Sequence, residues 1–336
     1  TTGRTPKTSS LSRPAPRNNG VSEKLRCAIL DDYQRVALSL ADWSSLQERV
    51  EVRSQDQHLE DLDSLRDCQI LVAMRERTRF DAATLQRLPN LKLLVTTGMR
   101  NAAIDLPAAR ALGITVCGTA SASEPPVELT WALLLALARG IVPENTALQA
   151  GGAWQSTLGA DLHGAQLGLL GLGKIGSRVA QIGLAFGMKV AAWSQNLKPE
   201  TAEALGVEPK QSKEQLLQTS DFVSLHLVLS ERTRGLLGRQ ELALLKPTAY
   251  LINTSRAGLV DQTALREALQ ADQLAGAGVD VFEQEPLPLN DPMRSLPNLL
   301  ATPHLGYVTR RNYLRYYQDA VENIQAYLNG TPIRLI

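Results

Sequence analysis

The nine residues Gly168-Leu-Leu-Gly-Leu-Gly-Lys-Ile-Gly176 constrain this chain more than any other stretch. Glycines at 171, 173 and 176 keep a G-x-G-x-x-G spacing, and the flanks give that spacing meaning. Gln166 to Leu170 is apolar and strand-like. Ser177 to Phe186 then carries Val179, Ile182, Leu184 and Phe186 at helical spacing, until Gly187 stops it. Lys189 to Trp193 is a second apolar strand. A β-α-β unit of this length, with glycines in its first turn, is the pattern of a dinucleotide site. The first glycine permits the tight turn, the second lets backbone approach a pyrophosphate, and the third lets helix pack against strand. The helix N-terminus adds unpaired N–H groups and the positive end of its dipole.

The same alternation runs along the rest of the chain. Strands are expected at Leu25–Leu30, Val50–Arg53, Gln69–Ala73, Leu91–Thr96 and Ile114–Val116, with helices at His58–Arg66, Asp81–Leu88 and Asp105–Leu112. Beyond the glycine loop, strands are expected at Asp221–Leu227, Ala249–Ile252, Gly278–Phe282 and Asn298–Thr302. Helices are expected at Lys213–Gln218, Arg239–Leu245, Thr263–Gln270 and Arg310–Leu328, with Asp261 as an N-cap. Strands separated by helices imply parallel sheets covered on both faces. At 336 residues the chain exceeds one ordinary core, so two α/β domains are expected. Between them, Val127 to Ala138 is apolar nearly all round, as a helix wedged between domains or subunits would be.

Composition removes several classes of function. A formal net charge of +1 without a basic stripe argues against a nucleic-acid partner. No apolar run approaches the ~20 residues of a membrane span. Cys27, Cys68 and Cys117 show no metal-ligand spacing, so reduced thiols, no metal and a cytoplasmic setting are expected. Residues 1–24 are rich in Ser, Thr, Pro, Arg and Asn, the composition of a disordered tail.

Open α/β sheets bind ligands beyond the carboxyl ends of their strands. Three such ends carry reactive groups: Arg256 after Ile252, Glu285 after the 278–282 strand, and His304 after the 298–302 strand. A guanidinium grips a carboxylate through two parallel N–H bonds. An imidazole donates or accepts the proton at a hydroxyl or carbonyl, and a carboxylate on its far nitrogen fixes its tautomer. Behind a dinucleotide loop, this set suits hydride transfer on a 2-hydroxy or 2-keto acid.

At this point the chain resembles the D-isomer-specific 2-hydroxyacid dehydrogenases, over roughly residues 25–330. The motifs are Gly171-Leu-Gly-Lys-Ile-Gly176, Asn253-Thr-Ser-Arg-Ala-Gly258, Gly278-Val-Asp-Val-Phe-Glu-Gln-Glu-Pro286 and Thr302-Pro-His-Leu-Gly306. The resemblance implies two doubly wound parallel-sheet domains, one Rossmann-like and one flavodoxin-like, with a cleft between them. It implies a substrate domain of residues 25–123 plus 304–336, a cofactor domain of residues 124–303, and a homodimer. It gives Arg256, Glu285 and His304 the catalytic places. Cofactor contacts fall to Gly171, Gly173, Lys174, Ile175, Gly176, Ser194, Gln195, Thr254, Arg256, Asp280 and His304, with Asp280 holding the nicotinamide carboxamide. Substrate contacts fall to Arg75, Gly98, Met99, Arg100, Arg256 and His304, with backbone at 98–100 meeting the substrate carboxylate. Arg75 or Arg77 would reach a more distant polar or phosphate group, or stand in solvent.

Two departures bear on specificity. Ser194, followed by Gln195 and Asn196, stands where the family often has an Asp that binds the ribose hydroxyls and repels a 2′-phosphate. Both NAD(H) and NADP(H) are admitted, with a lean to NAD(H). Ala257 replaces a common glycine, although Gly258 follows. Glyoxylate or hydroxypyruvate is the expected substrate. Formate dehydrogenases of the same architecture pair their histidine with Gln rather than Glu285. A phosphite or phosphoglycerate dehydrogenase, or a nucleotide-sensing corepressor like the C-terminal-binding proteins, is the alternative on this fold.

Overall fold

The computed structural model describes residue 1 and residues 23–336. The tail expected over residues 1–24 falls, for residues 2–22, outside the described residues.

Strands β1 (Leu25–Ile29), β2 (Val50–Ser54), β3 (Ile70–Ala73), β4 (Leu93–Thr96) and β5 (Thr115–Gly118) form a parallel sheet ordered β2-β1-β3-β4-β5. This is the flavodoxin-like order. The central strands β3 and β4 are buried at every position, which is why they read as unbroken apolar runs rather than alternating ones. The C-terminal helix Arg310–Leu328 returns to cover this sheet, laying Tyr313, Tyr316, Tyr317 and Ile324 on Ile29, Val72 and Val95. Phe80, Leu85 and Leu65 fill a second core with Leu71 and Leu94.

Seven strands make the other sheet: β6 (Gln166–Leu170), β7 (Lys189–Trp193), β8 (Glu208–Pro209), β9 (Phe222–Leu225), β10 (Tyr250–Asn253), β11 (Gly276–Val279) and β12 (Leu299–Ala301). Their order, β12-β11-β10-β9-β6-β7-β8, places the reversal of direction between β6 and β9, so the turn after β6 opens at the topological switch point.

The chain passes between the sheets at residues 119–123 and again at 302–309. The C-terminal helix fastens the first passage with buried polar side chains. Asp319 Oδ2 accepts from Ala120 N at 2.8 Å, Asn312 Oδ1 from Ala122 N at 3.1 Å, and Asn323 Nδ2 donates to Gly118 O at 2.8 Å.

Several expectations change. The polar helix expected at His58–Arg66 is a single 3-10 turn, Asp63–Leu65. There the Asp61 carboxylate takes the Asp63 amide and the Arg87 guanidinium, a local competitor to helix. The strand expected at Gly278–Phe282 is Gly276–Val279, so Asp280 leaves the sheet instead of continuing it. Helix Glu124–Ala138 is not a wedge between domains. It lies on the second sheet, where a Cβ on Gly278 would meet Leu133 Cβ at 3.1 Å, and beside the helix Lys174–Ala185, where one on Gly183 would meet Trp131 at 3.6 Å. Short helices at Ala37–Leu40, Ile141–Gln149 and Pro199–Glu203 lacked a legible apolar stripe. Asp261 caps Gln262–Gln270 as expected, its Oδ1 accepting from Ala264 N at 2.9 Å.

Candidate active site

The glycine loop has three different environments at its three glycines. Gly171 holds φ +104°, and a Cβ there would lie 2.7 Å from His226 O. A Cβ on Gly176 would lie 2.1 Å from Gly171 O, so the helix leans on the turn with no room for a methyl. A Cβ on Gly173 meets nothing within 4 Å. That open side faces a groove of ≈ 400 Å³ lined by Gly171, Gly173, Ser194, Lys198, Thr201 and His226, among others. Helix Lys174–Ala185 begins at Gly173 without a side-chain cap, leaving its first-turn N–H groups, including those of Lys174 and Ile175, for an anion. An uncapped helix start, an open glycine face and a groove at the switch point fit a dinucleotide. Gln195 is exposed and stands outside that lining, to which Asn196, Leu197, Lys198 and Thr201 contribute. Thr254 spends its hydroxyl on Thr130 Oγ1 at 2.7 Å, tying β10 to the helix beneath.

At the other end of the sheet, His304 Nδ1 lies 2.6 Å from Glu285 Oε2. The second oxygen of Glu285 accepts from Phe282 N at 2.9 Å, so the carboxylate is fixed at both ends. His304 itself holds φ +52°, a left-handed conformation that costs a non-glycine residue roughly 1–2 kcal/mol. Asp280 maintains it. This buried carboxylate accepts from Thr302 Oγ1 at 2.6 Å, Leu305 N at 2.6 Å and Gly306 N at 2.8 Å. Burial raises the Asp280 pKa against the opposing pull of those bonds and of His304. Asp280 is fully buried, and all three of these donors come from the turn that carries His304. Tyr307 sets its ring edge-on to His304, centroids 5.2 Å apart.

Arg256 follows β10. Its Nη1 donates to Ser255 O at 2.8 Å and its Nη2 to Glu76 Oε1 at 2.9 Å. The second contact crosses the cleft, because Glu76 follows β3 of the other sheet. Arg75 is beside it, with Nε 3.6 Å from Glu76 Oε2 and its guanidinium carbon 5.8 Å from the centre of the Tyr307 ring. Burial pushes Glu76 up, but the charges of Arg75 and Arg256 overcome it and hold the carboxyl below its usual range. Contacts therefore run unbroken from Arg256 through Glu76, Arg75 and Tyr307 to His304.

Of the loop expected to meet the substrate carboxylate, Gly98 is already committed. Its N–H donates to Thr119 Oγ1 at 2.8 Å, and at φ +86° it lies under Arg75, whose Nη1 would sit 1.9 Å from a Cβ. Met99 and Arg100 are exposed at the cleft. Arg77 is not a solvated surface residue. It donates to Asp31 O at 3.0 Å and stacks on Tyr33 at 4.6 Å and Tyr307 at 5.3 Å. Asp31 accepts from Thr78 and Tyr33 and pairs with His58 at 3.0 Å. Sequence reading passed over Glu76, Tyr307 and His226. Glu76 lay between two arginines already singled out, and Tyr307 followed the Pro-His motif closely.

A dinucleotide groove at the switch point, with an imidazole–carboxylate pair and a guanidinium at neighbouring strand ends, defines a two-domain nicotinamide-dependent oxidoreductase. The chain belongs to the D-isomer-specific 2-hydroxyacid dehydrogenases: residues 131–306 match the model of that family's NAD binding domain. It is 41% identical to a glyoxylate reductase of Aeropyrum pernix over 261 residues, covering 75% of this chain and 78% of that one. It is 37% identical to a hydroxypyruvate reductase of Thermotoga maritima over 283 residues, covering 82% and 90%. Among solved structures, a phosphoglycerate oxidoreductase of Vibrio cholerae superposes with a TM-score of 0.86 at 38% identity, covering 91% of this chain and 99% of that one. The general activity is thus NAD(P)-dependent interconversion of 2-hydroxy and 2-keto acids.

Proposed function

We propose that this protein reduces a small 2-keto acid, hydroxypyruvate or glyoxylate, to the corresponding 2-hydroxy acid, with NAD(H) preferred and NADP(H) accepted. The observation that carries the reading is the His304–Glu285 pair, with Arg256 on the same sheet edge. The bound nicotinamide supplies the hydride. Arg256 takes the substrate carboxylate and draws the adjacent carbonyl into line. Glu285 accepts from the Nδ1–H of His304, which aims the Nε2–H of the protonated ring at the carbonyl oxygen it protonates. Asp280 and Tyr307 keep that ring in place. Ser194 brings no charge to the adenosine end of the groove, and Lys198 lines it, which supports tolerance of a 2′-phosphate.

A homodimer belongs to the same reading. Helix Ile141–Gln149 and the arm after it expose Ile141, Val142, Leu148, Trp154 and Leu158, an apolar surface on one side of the second sheet's domain. Light scattering of the purified chain should give twice the monomer mass, and Trp154→Glu should lower it. Turnover of glyoxylate, hydroxypyruvate, pyruvate and phenylpyruvate with NADH and NADPH tests the activity. The highest kcat/KM is expected for hydroxypyruvate or glyoxylate. No turnover of any of the four, alongside tight NADH binding, would overturn it.

A further inference from the structure

Glu76 is the one carboxylate that reaches across the cleft to the substrate's anchor among the described residues. Its Oε1 is satisfied by Arg256 Nη2 at 2.9 Å. Its Oε2 is buried and has no hydrogen-bond partner among the described residues. Arg75 Nε, at 3.6 Å, is too far to serve as a donor, although the ion pair persists. A buried carboxylate oxygen without a donor is costly and uncommon, and at a binding cleft the missing donor is supplied by a ligand.

Position and charge say which ligand group. In that reading Arg256 holds the substrate carboxylate, and Glu76, in contact with the same guanidinium, lies within a few atoms of it. Arg75, Arg256 and Glu76 together carry a net single positive charge, enough for one carboxylate. A second anionic group placed beside Glu76 would meet a like charge at short range in a partly desolvated site, where repulsion is weakly screened. A neutral donor would instead complete a charge-assisted hydrogen bond.

We propose that Glu76 is a specificity-determining residue that accepts a hydrogen bond from a hydroxyl on C3 of the substrate and turns away a phosphate at that carbon. This rests on the 2-keto acid reading above and narrows it to 3-hydroxy-2-keto acids, of which hydroxypyruvate is the smallest. Pyruvate, with a methyl at C3, leaves Oε2 unpaired. Glyoxylate has no C3 at all.

The test is kcat/KM of the wild type and of Glu76→Gln for hydroxypyruvate, pyruvate, glyoxylate and 3-phosphooxypyruvate, with NADH. The glutamine side chain keeps its amide oxygen toward Arg256 and turns an NH₂, which cannot accept, toward C3. The hydroxypyruvate-to-pyruvate ratio of kcat/KM should fall about tenfold or more, the range of one hydrogen bond to a charged partner. The ratio for 3-phosphooxypyruvate against pyruvate should rise. Glu76→Ala, which also removes the acceptor, should shift both ratios the same way, and the melting temperature and NADH Kd of each variant report whether the fold is intact. An equal change for all four substrates would overturn the assignment, whether it is a loss from misplaced Arg256 or a gain from its release. If the wild type reduces some of these acids and the ratios do not move, only the role of Glu76 fails. If it reduces none, the keto-acid reading fails and the role of Glu76 falls with it.

Discussion

Alanine substitutions at Gly173 and Gly176 should separate what the glycine loop does for the ligand from what it does for the fold. At Gly176 a methyl carbon would sit 2.1 Å from the carbonyl oxygen of Gly171, about 1 Å inside the closest ordinary contact, and both partners are backbone. Either the helix withdraws or the turn opens, and overpacking of this kind costs about 1–3 kcal/mol. The better helix propensity of alanine returns about 1 kcal/mol at most. The net loss should lower the melting temperature by a few degrees, since 1 kcal/mol shifts a domain of this size by roughly 2–4 °C. At Gly173 the same methyl meets no protein atom within 4 Å, and φ is −78°, which alanine adopts freely. Stability should stay within about 1 kcal/mol of the wild type, the gain from a stiffer unfolded chain offsetting a slightly poorer N-cap. The methyl would instead stand on the open side of the loop and hold a pyrophosphate away from the N–H groups of the helix start. If restoring contact costs about 1.4–2.8 kcal/mol, NADH Kd rises roughly 10- to 100-fold. Differential scanning fluorimetry without cofactor gives the first quantity, and energy transfer from tryptophan to NADH the second. The reasoning is refuted if Gly173→Ala binds NADH like the wild type, or if Gly176→Ala melts at the wild-type temperature.

Three further outcomes are expected. His304→Ala should lower kcat by ~10²–10⁴ while NADH Kd stays within a few-fold, because in the proposed function the ring meets the substrate and the glycine loop holds the cofactor. Ser194→Asp should raise the NADH-to-NADPH ratio of kcat/KM by about tenfold or more, through repulsion of the 2′-phosphate, and Lys198→Ala should shift it the same way by less. His58 carries a pH signature: its hydrogen bond to Asp31 raises its pKa above the ordinary value although burial opposes. A histidine whose folded pKa is raised contributes stability that is complete below its unfolded value near about 6.5 and is lost as pH climbs through the folded value. Urea denaturation across roughly pH 6 to 9 should therefore show a steeper decline for the wild type than for His58→Gln, and parallel curves would refute the pairing.

What the sequence makes legible is local. The glycine loop, the apolar strands and the reactive residue after each strand end are all set within a few positions by spacing and backbone requirements. Contacts between distant segments are not legible in the sequence. Asp280 belonged to a recognised motif, but nothing near it in sequence says that its donors lie at Thr302, Leu305 and Gly306. Gly98 looked like free backbone until Thr119 claimed its N–H. Charged neighbours in sequence leave the place of Arg77 open between ligand and solvent, whereas two aromatic rings from distant segments, Tyr33 and Tyr307, enclose it. Helix Glu124–Ala138 was legible as buried on all sides, but not what buried it, because an apolar surface does not name its partner.

The placement of His304 shows why a site of this kind lies between two sheets. The residue stands on the second passage of the chain between them, just after β12 ends at Ala301 and before helix Arg310–Leu328 packs onto the other sheet. Its backbone is held from one side by Asp280, at the end of β11. Its ring is held by Glu285 from the same side and by Tyr307, which belongs to the core of the first sheet, from the other. The helix that follows also grips the first passage through Asn312, Asp319 and Asn323. His304 and both connections between the domains thus share one rigid support. Arg256 is tied across the cleft only by the Glu76 ion pair, among the described residues. In the proposed function the fixed side of the cleft carries the acid and base, and the side closed by a single ion pair is where substrate selection is exerted.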